Sequence, residues 1–192
     1  EPLTVIGGTQ DTRELLPRLQ WQVPAKLRTF ALAVGTERGA AKLERTLRLP
    51  HALARPLYGS LVRPFVLPPR VNAPAGGRVL PVATPGEEVI ALYARVRRGT
   101  APAWTLPHLR WLTAGFPSVG QFLTLYFLRA EDLVGWTLAR IHQGEAGREA
   151  QLVEVFSPEP DADLYAWMVS EATRLAAAFD PGSVRAATTC PE

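Results

Sequence analysis

Three β-rich runs follow one another at residues 121–130, 133–142 and 148–156, separated only by the Glu131-Asp132 turn and by Gly144-Glu145-Ala146-Gly147. Connections this short join antiparallel neighbours, because a parallel return needs a crossover of roughly a dozen residues or more. Residues 161–179 then carry Leu164, Trp167, Met168, Ala172, Leu175 and Ala176 at every third or fourth position, the stripe of a helix with one buried side. Asp180-Pro181-Gly182 ends that helix, and residues 184–190 can return to the sheet as a parallel neighbour. A meander, a crossover helix and a returning strand predict an α/β (α+β) fold: a mixed, mostly antiparallel central sheet flanked by helices.

Upstream, residues 78–83 read as a strand. Thr84-Pro85-Gly86-Glu87 offers an N-cap, a proline at the first helical position and an acid at the third, so a helix is expected to about Arg97, burying Val89, Ile90, Tyr93 and Val96. A short helix follows over 106–114, closed by Gly115, Pro117 and Gly120. At the N-terminus, the run 3–6, the Gly7-Gly8 break, the capping-box spacing of Asp11 and Glu14, and the alternation of Phe30, Leu32 and Val34 predict strand, helix, strand. Ala40, Leu43 and Leu47 mark an amphipathic helix over 36–49, and a further helical turn or two is expected within 53–65, interrupted by Pro56. Pro68-Pro69 and Ala73-Pro74-Ala75-Gly76-Gly77 read as a semi-rigid connector. The expected organisation is 1–35, strand-helix-strand; 36–77, helical and Pro-rich connector; and 78–192, the main domain.

An apolar fraction of 47% and a charged fraction of 20% are those of a globular chain, and no apolar run reaches the roughly 18 to 20 residues of a membrane span. No membrane association and a cytoplasmic setting are expected. The net charge is only +3, with arginines scattered singly, so no nucleic-acid partner is expected. Cys190 is the single cysteine, which excludes an intrachain disulfide, and His51, His108 and His142 lack metal-site spacing; the expected metal complement is none. The chain opens at Glu1 rather than at a methionine, and excision from a longer protein is the expectation.

The order strand, helix, helix, three meandering strands, helix, strand over 78–190 resembles the GNAT N-acetyltransferase superfamily. Leu133-Val134-Gly135-Trp136 is similar to the family's third-strand pattern of two apolar residues, glycine and an aromatic; by itself it equally describes a hairpin with a bulge at Gly135 and a core Trp136. Val5-Ile6-Gly7-Gly8-Thr9-Gln10 through Leu32 is similar to the closing strand, helix and strand of a preceding GNAT unit, with Leu19-Gln20-Trp21 where members often carry Leu-Gly-Phe. The chain thus resembles bacterial tandem-GNAT proteins, some of them linked to polysaccharide biosynthesis, and is expected to pack with a neighbouring GNAT repeat. Alternatively, the N-terminal elements join the main domain's own sheet.

The resemblance implies acetyl-CoA or another acyl-CoA as donor and a small-molecule amine or amino sugar as acceptor. It places Glu154 as general base and Cys190 near the point of acyl transfer, with cofactor contacts at Val155, Phe156, Ser157 and Ala162. Simple alternation sets Val153 and Val155 on one face of the strand and Leu152, Glu154 and Phe156 on the other. The sequence departs from the family where the pyrophosphate loop should be. Phe156-Ser157-Pro158-Glu159-Pro160-Asp161-Ala162 has no glycine, loses two donors to proline and carries acids, which also suit the first turn of a helix. The tyrosine that members place after the fifth strand has no counterpart before Glu192. Trp104, Trp111, Phe116 and Phe122 are expected either to line an acceptor pocket or to pack. A second function therefore stands beside N-acyl transfer: a non-catalytic GNAT-like module for domain packing or partner binding.

Overall fold

The computed structural model describes residues 27–96, 105–114, 120–144 and 147–189. The chain divides into two compact units, Thr29–Ala187 on the one hand and Glu1–Arg28 with Thr188–Glu192 on the other. Of the second, the described residues are Leu27, Arg28, Thr188 and Thr189, all in strands.

The described residues form a six-stranded sheet. In chain order its strands are β1 (Leu27–Leu32), β2 (Gly77–Val82), β3 (Gln121–Arg129), β4 (Asp132–Gly144), β5 (Gly147–Phe156) and β6 (Ser183–Thr189), and in space they run β1-β6-β5-β4-β3-β2. β3, β4 and β5 pair antiparallel, as their short connections require; β2 also pairs antiparallel to β3, and β6 pairs parallel to β5. The return passes over α6 (Ala162–Ala177), the sixteen-residue helix with the apolar stripe read from the sequence. The remaining helices are α1 (Thr36–Leu47), α2 (His51–Leu57), α3 (Arg63–Val66), α4 (Glu87–Ala94) and α5 (Leu106–Thr113).

Each face of the sheet carries its own core. On one, Leu164, Trp167, Met168, Ala172 and Ala176 of α6 pack on Leu125, Phe127, Val134, Ala139, Ile141, Ala150 and Leu152. On the other, Val89 and Leu92 of α4 and Leu109 of α5 pack on Tyr126, Leu133, Trp136 and Leu138. Trp136, Phe127, Leu138 and Met168 are fully buried. Two apolar faces explain why β3 and β4 read as nearly continuous hydrophobic runs.

Two bulges interrupt the alternation. Phe127 pairs with Gly135 but Leu128 with Leu133, so Val134 is an extra residue in β4. Gly135 beside it lies directly under α6, where a Cβ would sit 2.7 Å from Met168 Sδ. Leu138 pairs with Glu154 but Ala139 with Leu152, which makes Val153 an extra residue in β5.

Three expectations are revised. α4 begins at Glu87 with Gly86, not Thr84, as N-cap and without a side-chain cap; Pro85 is buried instead, and the Gly86 N–H donates to Tyr126 Oη at 2.9 Å. Val96 is exposed, because α4 ends at Ala94. Residues 51–66 form continuous helix, with a π-helical stretch Tyr58–Val62 between α2 and α3, despite Pro56 within α2. The Tyr58 ring presses on α1 at Gly39, where a Cβ would fall 2.0 Å from it, so only glycine lets the two helices approach this closely. The Pro-rich stretch lies along α6: Arg174 Nη1 donates to the Pro68 carbonyl at 2.9 Å and Ser170 Oγ to that of Pro69 at 3.1 Å.

Candidate functional site

The bulge at Val153 decides what β5 presents to each face. Directly paired residues in an antiparallel ladder share a face. Leu152 pairs with Ala139 and faces α6, whereas Glu154 pairs with Leu138 on the face carrying α4 and α5. The alternation expected from sequence put Leu152 and Glu154 together; the extra residue between them places them on opposite faces. Val153 and Phe156 pack with the α4–α5 core, and Val155 with the α6 core.

Glu154 is half-buried and engaged in an interaction of its own. Near it on the same face, Trp136 pairs with Phe156, and Tyr93 of α4 closes over both. The Tyr93 and Phe156 rings stack with centroids 3.9 Å apart, Tyr93 meets Trp136 edge-on at 6.3 Å, and Trp136 Nε1 donates to Tyr93 Oη at 3.2 Å. The sequence marked Trp136 and Tyr93 as apolar core; the hydroxyl's place over the end of β5 had no local signal. Phe122 packs in this core, Trp111 is 65% exposed, and Trp104 and Phe116 lie outside the described residues.

β5 extends beyond its described pairing with β6. The parallel pairs cover residues 149–152 against 183–186, and β5 runs four residues further, to Phe156. Cys190 lies outside the described residues.

The loop into α6 is closed on itself. The Ser157 N–H donates to Tyr165 Oη, which donates in turn to the Ser157 carbonyl, and Ser157 Oγ donates to the Val134 carbonyl at 2.8 Å while accepting from the Glu159 N–H at 3.1 Å. Asp161 is the N-cap of α6: its Oδ1 accepts from the Asp163 N–H at 2.9 Å and the Leu164 N–H at 3.1 Å. Arg129, at the end of β3, lies 3.3 Å from Glu159 and 3.6 Å from Asp161. Ala162 opens the helix and is exposed. The acids thus serve the first turn of α6, as the sequence suggested. This arrangement is poorly suited to a CoA diphosphate: the amides of residues 157, 159, 163 and 164 are taken, Pro158 and Pro160 have none, and Glu159, Asp161 and Asp163 bring negative charge to the same place.

Among the described residues, no group of three or more His, Cys, Asp or Glu is placed to hold a metal ion, and no helix is long and apolar enough to cross a membrane. A surface hollow bordered by Arg70, Asn72, Arg78, Trp167 and Glu171 contains no residue of β5.

No protein-family profile and no curated protein matches the chain. Among solved structures, a GCN5-related N-acetyltransferase from Sphaerobacter thermophilus superposes with a TM-score of 0.52 at 12% identity, over 96% of this chain and 49% of that one. A functionally unknown conserved protein from Staphylococcus epidermidis gives 0.44 at 7% identity, over 97% of this chain and 60% of that one. An aminoglycoside acetyltransferase from an uncultured soil metagenomic sample, in complex with sisomicin, gives 0.38 at 8% identity, over 55% and 72%. The chain spans about half the length of the Sphaerobacter protein. With its mostly antiparallel six-stranded sheet, helices on both faces and a parallel β6 reached over α6, the chain has the fold of the GCN5-related N-acetyltransferases.

Proposed function

We propose that this chain is a GNAT-type N-acyltransferase module that passes an acyl group from a thioester of the acyl-CoA class, acetyl-CoA among them, to the amine of a small molecule such as an amino sugar. The observation that carries the reading is the bulge at Val153, which turns Glu154 toward the α4–α5 face near the point where the described β5–β6 pairing ends. A bulge beside a strand end commonly re-aims a side chain at a functional site. The Val155 and Phe156 main chain, past that last pair, is the proposed rest for the donor's thiol arm. Glu154 is the proposed general base, accepting the proton that the amine nitrogen sheds as it becomes an amide. Cys190, one residue past β6, is the second group proposed at the reacting end.

Acyl transfer from acetyl-CoA or S-acetylpantetheine, followed as thiol release across a panel of aminoglycosides and simple amino sugars, tests the reading. Turnover that falls with Glu154→Gln supports it. Thioester at a hundred times its dissociation constant adds about 2.7 kcal/mol of stability, so melting curves give an independent measure.

The closed loop at Ser157–Asp161 favours a second reading, a non-catalytic GNAT-like module that packs with a neighbouring domain or binds a partner. It predicts neither turnover nor a melting shift with either thioester at millimolar concentration.

A further inference from the structure

A helix N-terminus of sixteen residues with free amides attracts anions, and the fold delivers α6 directly after β5. Here that place is already taken by the chain's own carboxylate. Asp161 Oδ1 holds the Asp163 and Leu164 amides, its second oxygen faces the Arg129 guanidinium, and Arg129 also holds Glu159. The Arg129 cation is therefore engaged by two internal carboxylates. Next to it, the Ser157 N–H, hydroxyl and carbonyl are bound to Tyr165 and Val134, so Ser157 has no slack donor to turn outward. An incoming diphosphate would have to displace Asp161 from two hydrogen bonds and leave Glu159, Asp161 and Asp163 unneutralised around it.

We propose that Asp161, clamped by Arg129, is a specificity-determining residue: it fills the anion position at the head of α6 and makes the chain blind to the diphosphate end of a thioester donor, which is then recognised through its pantetheine arm alone. The inference deepens the N-acyltransferase reading and rests on it for the arm, but not for the exclusion of the diphosphate.

Two measurements on the full chain separate these parts. Calorimetric titration compares CoA with pantetheine, which keeps the thiol arm and lacks the nucleotide. The wild type should bind both within about threefold, whereas the Glu159→Gln/Asp161→Gly variant, in which glycine remains a competent N-cap, should bind CoA at least tenfold tighter with pantetheine unchanged. Wild-type binding of CoA more than tenfold tighter than pantetheine would overturn the proposal. If neither thiol binds, the acyl-donor reading fails, and inorganic pyrophosphate still decides the question. Its addition should leave the Asp163 and Leu164 amide resonances of the wild type in place and move those of the variant. Movement in the wild type, or none in the variant, removes Asp161 as the excluding group.

Discussion

Replacing Glu154 by glutamine keeps the size of the side chain and its place opposite Leu138, and removes only the capacity to take a proton. If Glu154 is the general base, thiol release should fall by roughly 10² to 10⁴, with the melting temperature and the titrated affinity for thioester unchanged. An equal loss of affinity would mean that the side chain holds the site together rather than acting in it. Glu154 stood out in the sequence as the odd residue among apolar neighbours, but its face was not legible there. Val153 is an ordinary strand former with no glycine or proline beside it, so nothing local announced the extra residue. His142 allows a second prediction at this scale. Burial first, then the Arg140 charge, hold its imidazole below the ordinary value of 6.5, with Glu149 opposing and Arg185 adding to the effect. Unfolded, the ring takes up a proton as pH falls through 6.5; folded, it does so only at lower pH. The stability present above that range is therefore lost as pH falls toward the folded value. A His142→Gln variant should lose less of its melting temperature than the wild type between about pH 7.5 and about pH 5. Parallel curves for the two proteins would assign the acid sensitivity to another group.

Elements whose signals are local came out of the sequence nearly intact. The meander and α6 needed only alternation, short turns and a three-to-four repeat, and Asp161 caps its helix where an acid at that position belongs. α4 was misplaced because its start is fixed from far away. Thr84 and Pro85 satisfy a local capping rule, yet Tyr126, forty residues on, accepts a hydrogen bond from the Gly86 N–H and sets the N-cap there. Burial raises the Tyr126 hydroxyl's pKa well above its usual value, with Glu88 adding to the rise, so it stays protonated across the working range. Tyr126→Phe removes the acceptor and leaves the Gly86 donor without it. We expect a loss of about 1 kcal/mol, with amide exchange accelerated first in Glu87–Ala94. Uniform acceleration throughout the sheet would place the effect in the α4–α5 core and not at the helix entry. The loop into α6 follows the same division. Its prolines and acids were legible, but the bonds from Ser157 to Tyr165 and Val134 that close it depend on α6 and β4 coming together, which no local pattern encodes.

At the scale of the whole unit Thr29–Ala187, the helical part of the segment read as a connector is tied to the rest through the Arg63 cation. Arg63, at the start of α3, donates through Nε to the Val34 carbonyl at 3.0 Å and through Nη2 to the Ala177 carbonyl at the end of α6, and lies 3.3 Å from Asp180. Asp180 in turn accepts from the Thr36 N–H and hydroxyl at the head of α1. Three segments distant in sequence thus meet on a guanidinium whose fork suits several acceptors at once, and whose side chain is only 23% exposed. Arg63→Ala leaves the Val34 and Ala177 carbonyls without that partner and should cost about 2 kcal/mol, a melting shift of roughly 4 to 8 °C for a chain of this length. Arg63→Lys keeps the charge and loses the fork, and should fall between the two. Arg55, whose pair with Glu37 is exposed on both sides, is the matched control, and Arg55→Ala should change stability by no more than about 0.5 kcal/mol. Amide exchange in Arg63→Ala should quicken in Thr36–Leu47 and in the last turn of α6 while β3 and β4 stay protected, because the Arg63 bonds go to the main chain just before α1 and at the end of α6. Equal melting temperatures for the Arg63 and Arg55 variants would mean that α1 to α3 are held by the Tyr58–Gly39 packing instead, and that the cation is only a surface charge.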